Sequence, residues 1–498
     1  MLQLRALIAL RWQMIREPAV RGGLVALALS LPLLIVIGGI GGQVARSATL
    51  SFNILLLTPS LFLGFAVLAL VAPLSSGGGN ELFPSDQLVA YPIEARTLFY
   101  GSLASAPLNL AWATQVVSIV TATAFVSRQS PLVLLSVLTS LAYVACTTCA
   151  GQALGWLVIG IRQARLGRWA ARVLGGALLA GIGLALLTGN AVYLLDHSPT
   201  TRVTVAAIDG SAGDLLPWAT TTCGLALATA AAVWAGGRAA RWSLRRPEHR
   251  AAEVSRRQVR REGAPTPGGA LLRVDRNSVW RAAPLRRGLL VLALLPGAVT
   301  AAARVQWSSM ALLPGLVAAG AGLLFGVNAF CLDAQGGPWL ASLPHAPGTA
   351  ALAKARVIAE TCLVAVLLAV AAGALGARGR PTAADLTALA SSALALTLLV
   401  TATCLRLSVQ RPHRADLRGP RDAPAPPATM AVYSLRLALS TTLLGTVFVG
   451  CAASGRPLAA PVVGLLVVAW STRSLRRTTA AFSRPEVRGR VVSVVAAG

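Results

Sequence analysis

Charged residues are scarce in this sequence. Asp, Glu, Lys and Arg make up 12% of the 498 residues, whereas 55% are hydrophobic. Soluble globular domains carry about 25% charged residues, so this composition argues against a soluble protein. Apolar runs of about 20 residues, the length at which a helix crosses the hydrocarbon core of a bilayer, occur along the whole chain. We therefore predict an all-α polytopic membrane protein.

Motifs for catalysis and nucleotide binding are also missing. The four histidines share no motif, and no H-E-x-x-H or G-x-S-x-G pattern occurs. The only lysine, Lys354, does not follow the glycine loop of a P-loop. Cys146 and Cys149 form a CxxC pair, but a structural zinc site needs four ligands and no second pair lies nearby. The sequence predicts no enzyme activity, metal or cofactor in this chain.

Charge is almost absent from the apolar runs themselves. Glu360, near the start of the ninth run, is the one charged residue within them. Transporters driven by proton or sodium gradients usually need ionisable groups at membrane depth. Glu360 could be such a group, but the interpretation we favour is that it snorkels, or pairs near Lys354 or Arg356, at the membrane surface. Ion coupling is therefore poorly supported.

The basic residues that are present favour one side of the membrane. The formal net charge is +27. With the N-terminus in the cytoplasm, 36 of the 44 basic residues fall in inner segments and seven in outer loops. This bias follows the positive-inside rule and predicts about twelve spans, in the cell membrane, with both termini cytoplasmic. The predicted spans are 22–42, 50–72, 98–126, 131–160, 173–194, 215–236, 288–303, 309–330, 357–376, 386–404, 437–455 and 458–472.

The two halves of the chain share short patterns. Leu88, Pro92 and Thr97 follow the second predicted span, and Leu340, Pro344 and Thr349 follow the eighth at the same spacing. Because both halves would start inside, we predict two parallel six-helix repeats. The predicted division is an amphipathic N-terminus (1–21), a first half (22–236), a basic cytoplasmic linker (237–287), a second half (288–472) and a basic cytoplasmic tail (473–498).

Two inner loops, 73–97 and 331–356, have an unusual composition. Each mixes aromatic, acidic and proline residues ahead of a helix. Proline is tolerated at a helix start, so each loop could hold a short helix across the cytoplasmic face. We interpret these loops as docking sites for a partner; an ordinary interfacial connector is the alternative. The basic linker 237–287 predicts contact with anionic lipid headgroups, and we expect no nucleic-acid partner.

The second loop resembles a known family. Its residues read Asn328-x-Phe330-x-x-Asp333-x-x-Gly336, then Leu343-Pro344 and Lys354-x-Arg356. This pattern resembles the loop after the second span of type-2 ATP-binding-cassette (ABC) exporter permeases. The six-span halves and the amphipathic N-terminus are also similar to that family. In the first loop Asp86, Leu88, Pro92 and Arg96 match, whereas Ser102 stands where Lys354 does in the second half.

The resemblance implies a permease that works with separate nucleotide-binding ATPase subunits, with ATP on the partner. In that family the matching loop docks on the ATPase, and this chain would supply both transmembrane halves. The spans lack charged groups for an ionic cargo, so we expect an amphiphilic substrate. The alternatives are an ion-coupled secondary transporter using Glu360 and a membrane scaffold that transports nothing. The docking residues that the resemblance implies are Asp86, Tyr91, Pro92, Glu94, Asp333, Leu343, Pro344 and Lys354.

Overall fold

The structure is a computed structural model that describes most of the chain. The described part folds into α-helices with short 3-10 turns and contains no β-strand. Apart from a few positions within them, the described ranges are 58–67, 94–104, 110–127, 130–163, 197–245, 266–333, 336–413 and 427–496, with isolated residues elsewhere.

The described helices are named here by their bounds. We number them in chain order. They are α1 (Ala95–Ala104), α2 (Leu110–Val126), α3 (Val133–Gln163), α4 (Pro199–Ala212), α5 (Leu215–Leu244), α6 (Pro267–Arg281), α7 (Ala283–Ala302), α8 (Leu313–Phe325), α9 (Gly337–Ser342), α10 (Pro347–Ala374), α11 (Ala383–Gln410), α12 (Pro427–Ala453), α13 (Ala459–Phe482) and α14 (Pro485–Ala496).

Six helical segments in the described part are long and apolar enough to cross a membrane. A helix satisfies its own backbone hydrogen bonds, which hydrocarbon cannot do, so apolar runs of this length form helices. Each of the six overlaps a predicted span, which confirms the all-α membrane class. They are Val133–Ile161, Leu215–Leu244, Ser309–Asn328, Pro347–Ala374, Ala383–Gln410 and Tyr433–Ala453.

The other six predicted spans are not established as crossings. Shorter apolar helices occupy Thr58–Val67, Gln115–Val126 and Gly288–Ala302. The last predicted span, 458–472, lies in α13, which continues through Arg473 to Phe482 and is not among the six. The predicted spans 22–42 and 173–194 lie mostly outside the described residues. The count of twelve therefore stays a prediction.

The chain divides into two compact units. One comprises residues 1–177 and 193–252, and the other comprises 178–192 and 253–498. The division at 252 falls within the predicted linker 237–287. That segment is helical at both described ends, because α5 extends to Leu244 and α6 occupies Pro267–Arg281.

In the first unit, α3 packs along α5. The Trp218 side chain on α5 donates a hydrogen bond to the carbonyl of Leu135 on α3, with 3.0 Å between Nε1 and O. Deeper in the unit the rings of Phe62 and Tyr143 meet edge to face at 5.0 Å, and the Tyr143 hydroxyl donates to the Phe62 carbonyl. Aromatic packing with a satisfied hydroxyl fixes the contact between these helices.

In the second unit, α7 crosses α10 at small residues. A Cβ on Gly297 would lie 2.4 Å from the carbonyl oxygen of Ala369. No larger side chain fits between the backbones there. Membrane helices approach closely at such positions because van der Waals contact, rather than water exclusion, holds them together.

Also in the second unit, helix α14 covers an apolar cluster. The cluster brings together the start of α10 and the ends of α11 and α13. The rings of Phe330 and Phe482 stack within it at 4.9 Å, and Val491 of α14 is fully buried against them. This end of the unit carries the residues of the second predicted loop.

Candidate functional site

A buried ion cluster lies at the centre of the second predicted loop. The ammonium group of Lys354, on α10, lies 2.6 Å from Oδ1 of Asp275 and 2.5 Å from Oδ1 of Asp333. The side chains are 8%, 9% and 14% exposed respectively. Buried charges are retained only when they are paired and hydrogen-bonded, and each carboxylate here receives a direct bond from the lysine. We call these three residues the Lys354 cluster.

The Lys354 cluster joins three segments of the second unit. Asp275 lies on α6, Lys354 lies two turns into α10, and Asp333 lies in the loop between the turn at Gly326–Asn328 and α9. One lysine faces two aspartates, so the cluster carries a net charge of −1 when all three groups are ionised. Burial raises the pKa of the Asp275 carboxyl above its ordinary value, and the charge of Lys354 opposes that rise.

The local sequence places Asp275 on the buried face of α6. Asp275 and Val279, one turn apart, are 7% and 4% exposed, and Leu272 packs against the same core. Residues spaced by three and four positions share one face of a helix. An acidic residue on that apolar face is costly unless it meets a cation, and Lys354 is the cation that it meets.

Asp333 is positioned by turns in the chain. Its backbone N–H donates to the carbonyl of Phe330, and its own carbonyl accepts from Gly336. Upstream, the backbone N–H of Ala329 donates to Oγ of Ser408 on α11, at 2.9 Å. These bonds tie the loop to α11 before the chain reaches Asp333.

The short helix predicted within this loop is present as α9. Pro338 lies in its first turn, where the missing N–H costs no hydrogen bond. Trp339 is 65% exposed on the outer side of α9, whereas Leu343 is half-buried at its end and Pro344 is exposed. A large exposed aromatic residue on a short anchored helix is a suitable contact for a partner protein.

A small cavity lies between α9, α14 and the Lys354 cluster. Its volume is about 50 Å³, and Asp275, Asp333 and Lys354 line it together with His345 and Arg488. A single water needs roughly 10–15 Å³ of such space, so the cavity can hold a few water molecules beside the cluster. It is too small for a cofactor or a transported molecule.

Glu360 forms a separate ion pair with α6. Nε of Arg276 lies 2.7 Å from Oε2 of Glu360, and its Nη2 lies 2.5 Å from Oε1. The two side chains are 48% and 42% exposed. The hydrogen bond with Glu360 raises the pKa of Arg276. Glu360 is thus paired, as expected, but its partner is neither Lys354 nor Arg356.

The structure brings together only some of the residues that the sequence singled out. Asp333 and Lys354 bond directly to each other, and Leu343 and Pro344 follow α9 in the same segment. Glu94 is exposed just before α1, in the first unit. The remaining docking residues of the first loop, Asp86, Tyr91 and Pro92, lie outside the described residues.

Sequence reasoning missed Asp275. It lies in the segment whose composition predicts a linker, yet helical spacing relates Leu271, Leu272, Asp275 and Val279 there. That periodicity is the signal that could have revealed α6. The pairing of Asp275 with Lys354, across 79 positions, carries no local signal at all.

Within the described part of the chain, no group of three or more His, Cys, Asp or Glu residues could hold a metal ion.

Comparisons with protein-family models, with curated proteins and with solved structures found no match to this chain. The helices and their apolar surfaces define the class of protein, which is an all-α membrane protein.

Proposed function

We propose that this chain is the membrane permease of an exporter driven by separate ATPase subunits. The proposal includes twelve spans in two parallel six-helix halves, a place in the plasma membrane and cytoplasmic termini. The positive-inside bias supports the orientation. The resemblance of residues 328–356 to the docking loop of type-2 ABC exporter permeases supports the choice of partner.

The observation that carries the proposal is the combination of exposed α9 with the buried Lys354 cluster behind it. Trp339 offers a partner a large apolar contact. Asp333 precedes α9, and Lys354 connects Asp333 to both α10 and α6. A movement of α9 caused by the partner would therefore be transmitted to α10 and α6 through charge-assisted hydrogen bonds, which are stronger than neutral ones. The corresponding loop of the first half, 73–97, would contact a second ATPase subunit.

The scarcity of charge in the spans supports an external energy source. Glu360 is the one charged residue of the predicted spans, and its bidentate pair with Arg276 gives it a structural role that needs no ion coupling. Spans with so little charge suit an amphiphilic cargo better than a hydrophilic ion. ATP hydrolysis would take place on the partner, because this chain has no P-loop.

A binding experiment tests the docking step. The ATPase to test is any soluble protein with a Walker A motif that a neighbouring reading frame encodes. We expect Trp339→Ala to reduce its co-purification with the chain at least tenfold, because buried tryptophans at interfaces are often worth 2 kcal/mol or more, about a thirtyfold change in affinity. Trp234→Ala is the matched control, since Trp234 is 62% exposed on α5 in the first unit. Equal binding by both variants would contradict docking on α9.

A further inference from the structure

A second feature of the same unit is a basic groove between α11 and α13. Its volume is about 510 Å³, which lies within the range of ligand sites in proteins. Arg406 and Gln410 line it from α11, and Trp470, Arg473 and Arg477 line it from α13. We call it the arginine groove.

The sequence of α13 places these side chains on one face. Trp470, Arg473, Ser474, Arg477, Thr478 and Ala481 are spaced by three or four residues, and all of them line the groove. The two helices run in the same direction, because Gly464 near the start of α13 packs against Ser391 near the start of α11. The last turns of α11 therefore meet the second half of α13, and Arg406 joins the two arginines of α13.

The three arginines have no anionic partner within the described part of the chain. No Asp or Glu lines the groove, and the described ion pairs involve Arg276 and Lys354 instead. Arg406, Arg473 and Arg477 are exposed and line the same groove without a counter-charge, so the arrangement favours an anion that bridges them. A phosphate group suits it, because guanidinium groups bind phosphate oxygens in bidentate geometry.

The surface of α13 changes from apolar to basic at the groove. Val462 and Leu466 are 59% and 68% exposed and lie on the same side of α13 as Arg473 and Arg477. Trp470 stands between them, 51% exposed. Tryptophan is enriched where the hydrocarbon of a membrane meets its headgroups. The acyl chains of a lipid would lie against the apolar side chains, with the headgroup at the arginines.

We propose that the arginine groove binds the phosphate headgroup of an anionic membrane lipid. Basic pockets between membrane helices on the cytoplasmic side bind such headgroups. The groove lies at the end of α11, a candidate span, and close to the Lys354 end of α10 in the apolar cluster that α14 covers. A bound lipid would hold α11 and α13 together at this end of the unit.

Native mass spectrometry of the purified full chain tests the proposal. The probes are phosphatidylglycerol and phosphatidylcholine, each titrated into the detergent solution. We expect tighter retention of phosphatidylglycerol, weakened roughly fivefold by each of Arg406→Gln, Arg473→Gln and Arg477→Gln. Arg476→Gln is the matched control, because Arg476 is exposed on the same helix but does not line the groove. Circular dichroism shows whether each variant keeps its helices.

A second measurement needs no variant. Retention of phosphatidylglycerol by the unchanged chain should fall as salt is raised, since the interaction is ionic and lies near the surface. The proposal is overturned by equal retention of the two lipids, or by a groove variant that stays helical and binds phosphatidylglycerol as tightly as Arg476→Gln. It is also overturned by glycerol 3-phosphate displacing the lipid at equal concentration, which would indicate a soluble anion site.

Discussion

Asp275 accepts a hydrogen bond from the ammonium group of Lys354 at 2.6 Å, although 79 positions separate them in the chain. This bond connects α6, from a segment with the composition of a linker, to the beginning of a candidate membrane span. Asp333 shares the same lysine. Helix α6 is therefore part of the folded core of the second unit.

Lys354→Met should destabilise the protein strongly. Removing one partner of a buried ion pair leaves the other charge uncompensated, which costs about 3 to 5 kcal/mol of unfolding free energy. Thermal unfolding in detergent, followed by circular dichroism, measures the loss. The control is the triple variant Lys354→Met, Asp275→Asn and Asp333→Asn. This variant has no charge in the cluster and should recover much of the lost stability. Equal stability of Lys354→Met and the unchanged chain would show that the cluster is not buried.

The same variant should regain stability at low pH. A carboxyl whose folded pKa lies above its unfolded value binds more protons when folded, so its favourable contribution is present at low pH and is lost as the pH rises through the folded pKa. Burial already raises the pKa of Asp275, and removal of the lysine takes away the opposing charge. The loss of unfolding free energy caused by Lys354→Met should thus be smaller at pH 5 than at pH 8. A loss of stability that is larger at pH 5 than at pH 8 would contradict this prediction.

The crossing of α7 and α10 should not tolerate a side chain at Gly297. A Cβ there would lie 2.4 Å from the Ala369 carbonyl oxygen, so Gly297→Val forces the helices apart. Overpacking of this kind costs about 1 to 3 kcal/mol, which lowers the melting temperature. Gly450→Val is the control, because Gly450 lies on α12 with nothing within 4 Å of its Cβ position. Equal melting temperatures for the two variants would argue against the close approach.

Cys331 should resist alkylation in the folded protein. It is buried beside the Lys354 cluster, and burial raises its pKa to about 12, so almost none is thiolate at pH 8. In a variant that keeps Cys331 and has Ala at the other six cysteines, maleimide labelling should be slow in detergent and fast in denaturant. The denatured sample serves as the control, and rapid labelling of the folded sample would contradict the burial.

The membrane class was predictable from sequence because it depends on local composition. The runs 131–160 and 309–330 correspond to helical segments at Val133–Ile161 and Ser309–Asn328, since hydrocarbon leaves an apolar run of that length little alternative to a helix. The end of α13 was not predictable in this way. Arg473 marks the end of the apolar run, but the helix continues because Leu475 and Phe482 pack in the apolar cluster at the end of α11.

The site was predictable only where its residues lie close together in the chain. Asp333 and Lys354 belong to one motif, and the structure joins them. Asp275 and Arg276 were missed, because only tertiary packing brings α6 against α10. The same packing gives Glu360 a partner on α6 that its neighbours in sequence did not indicate.

Glu360→Gln separates the two modes of transport. Export driven by an ATPase should continue at a similar rate in this variant, because the pairing of the carboxylate with Arg276 gives Glu360 a structural role. Efflux of a fluorescent amphiphile from cells with the chain and its ATPase measures the rate. Arg276→Gln is the paired control and should behave alike. Loss of efflux in Glu360→Gln alone would indicate ion coupling through Glu360.

Flux in sealed vesicles tests the need for a partner most directly. Purified chain is reconstituted with and without the ATPase of the co-purification experiment, and uptake of a fluorescent amphiphile against its gradient is followed after ATP is added. We predict uphill flux only when both proteins and ATP are present. Uphill flux with the chain alone, with or without an imposed ion gradient, would contradict the need for a partner ATPase.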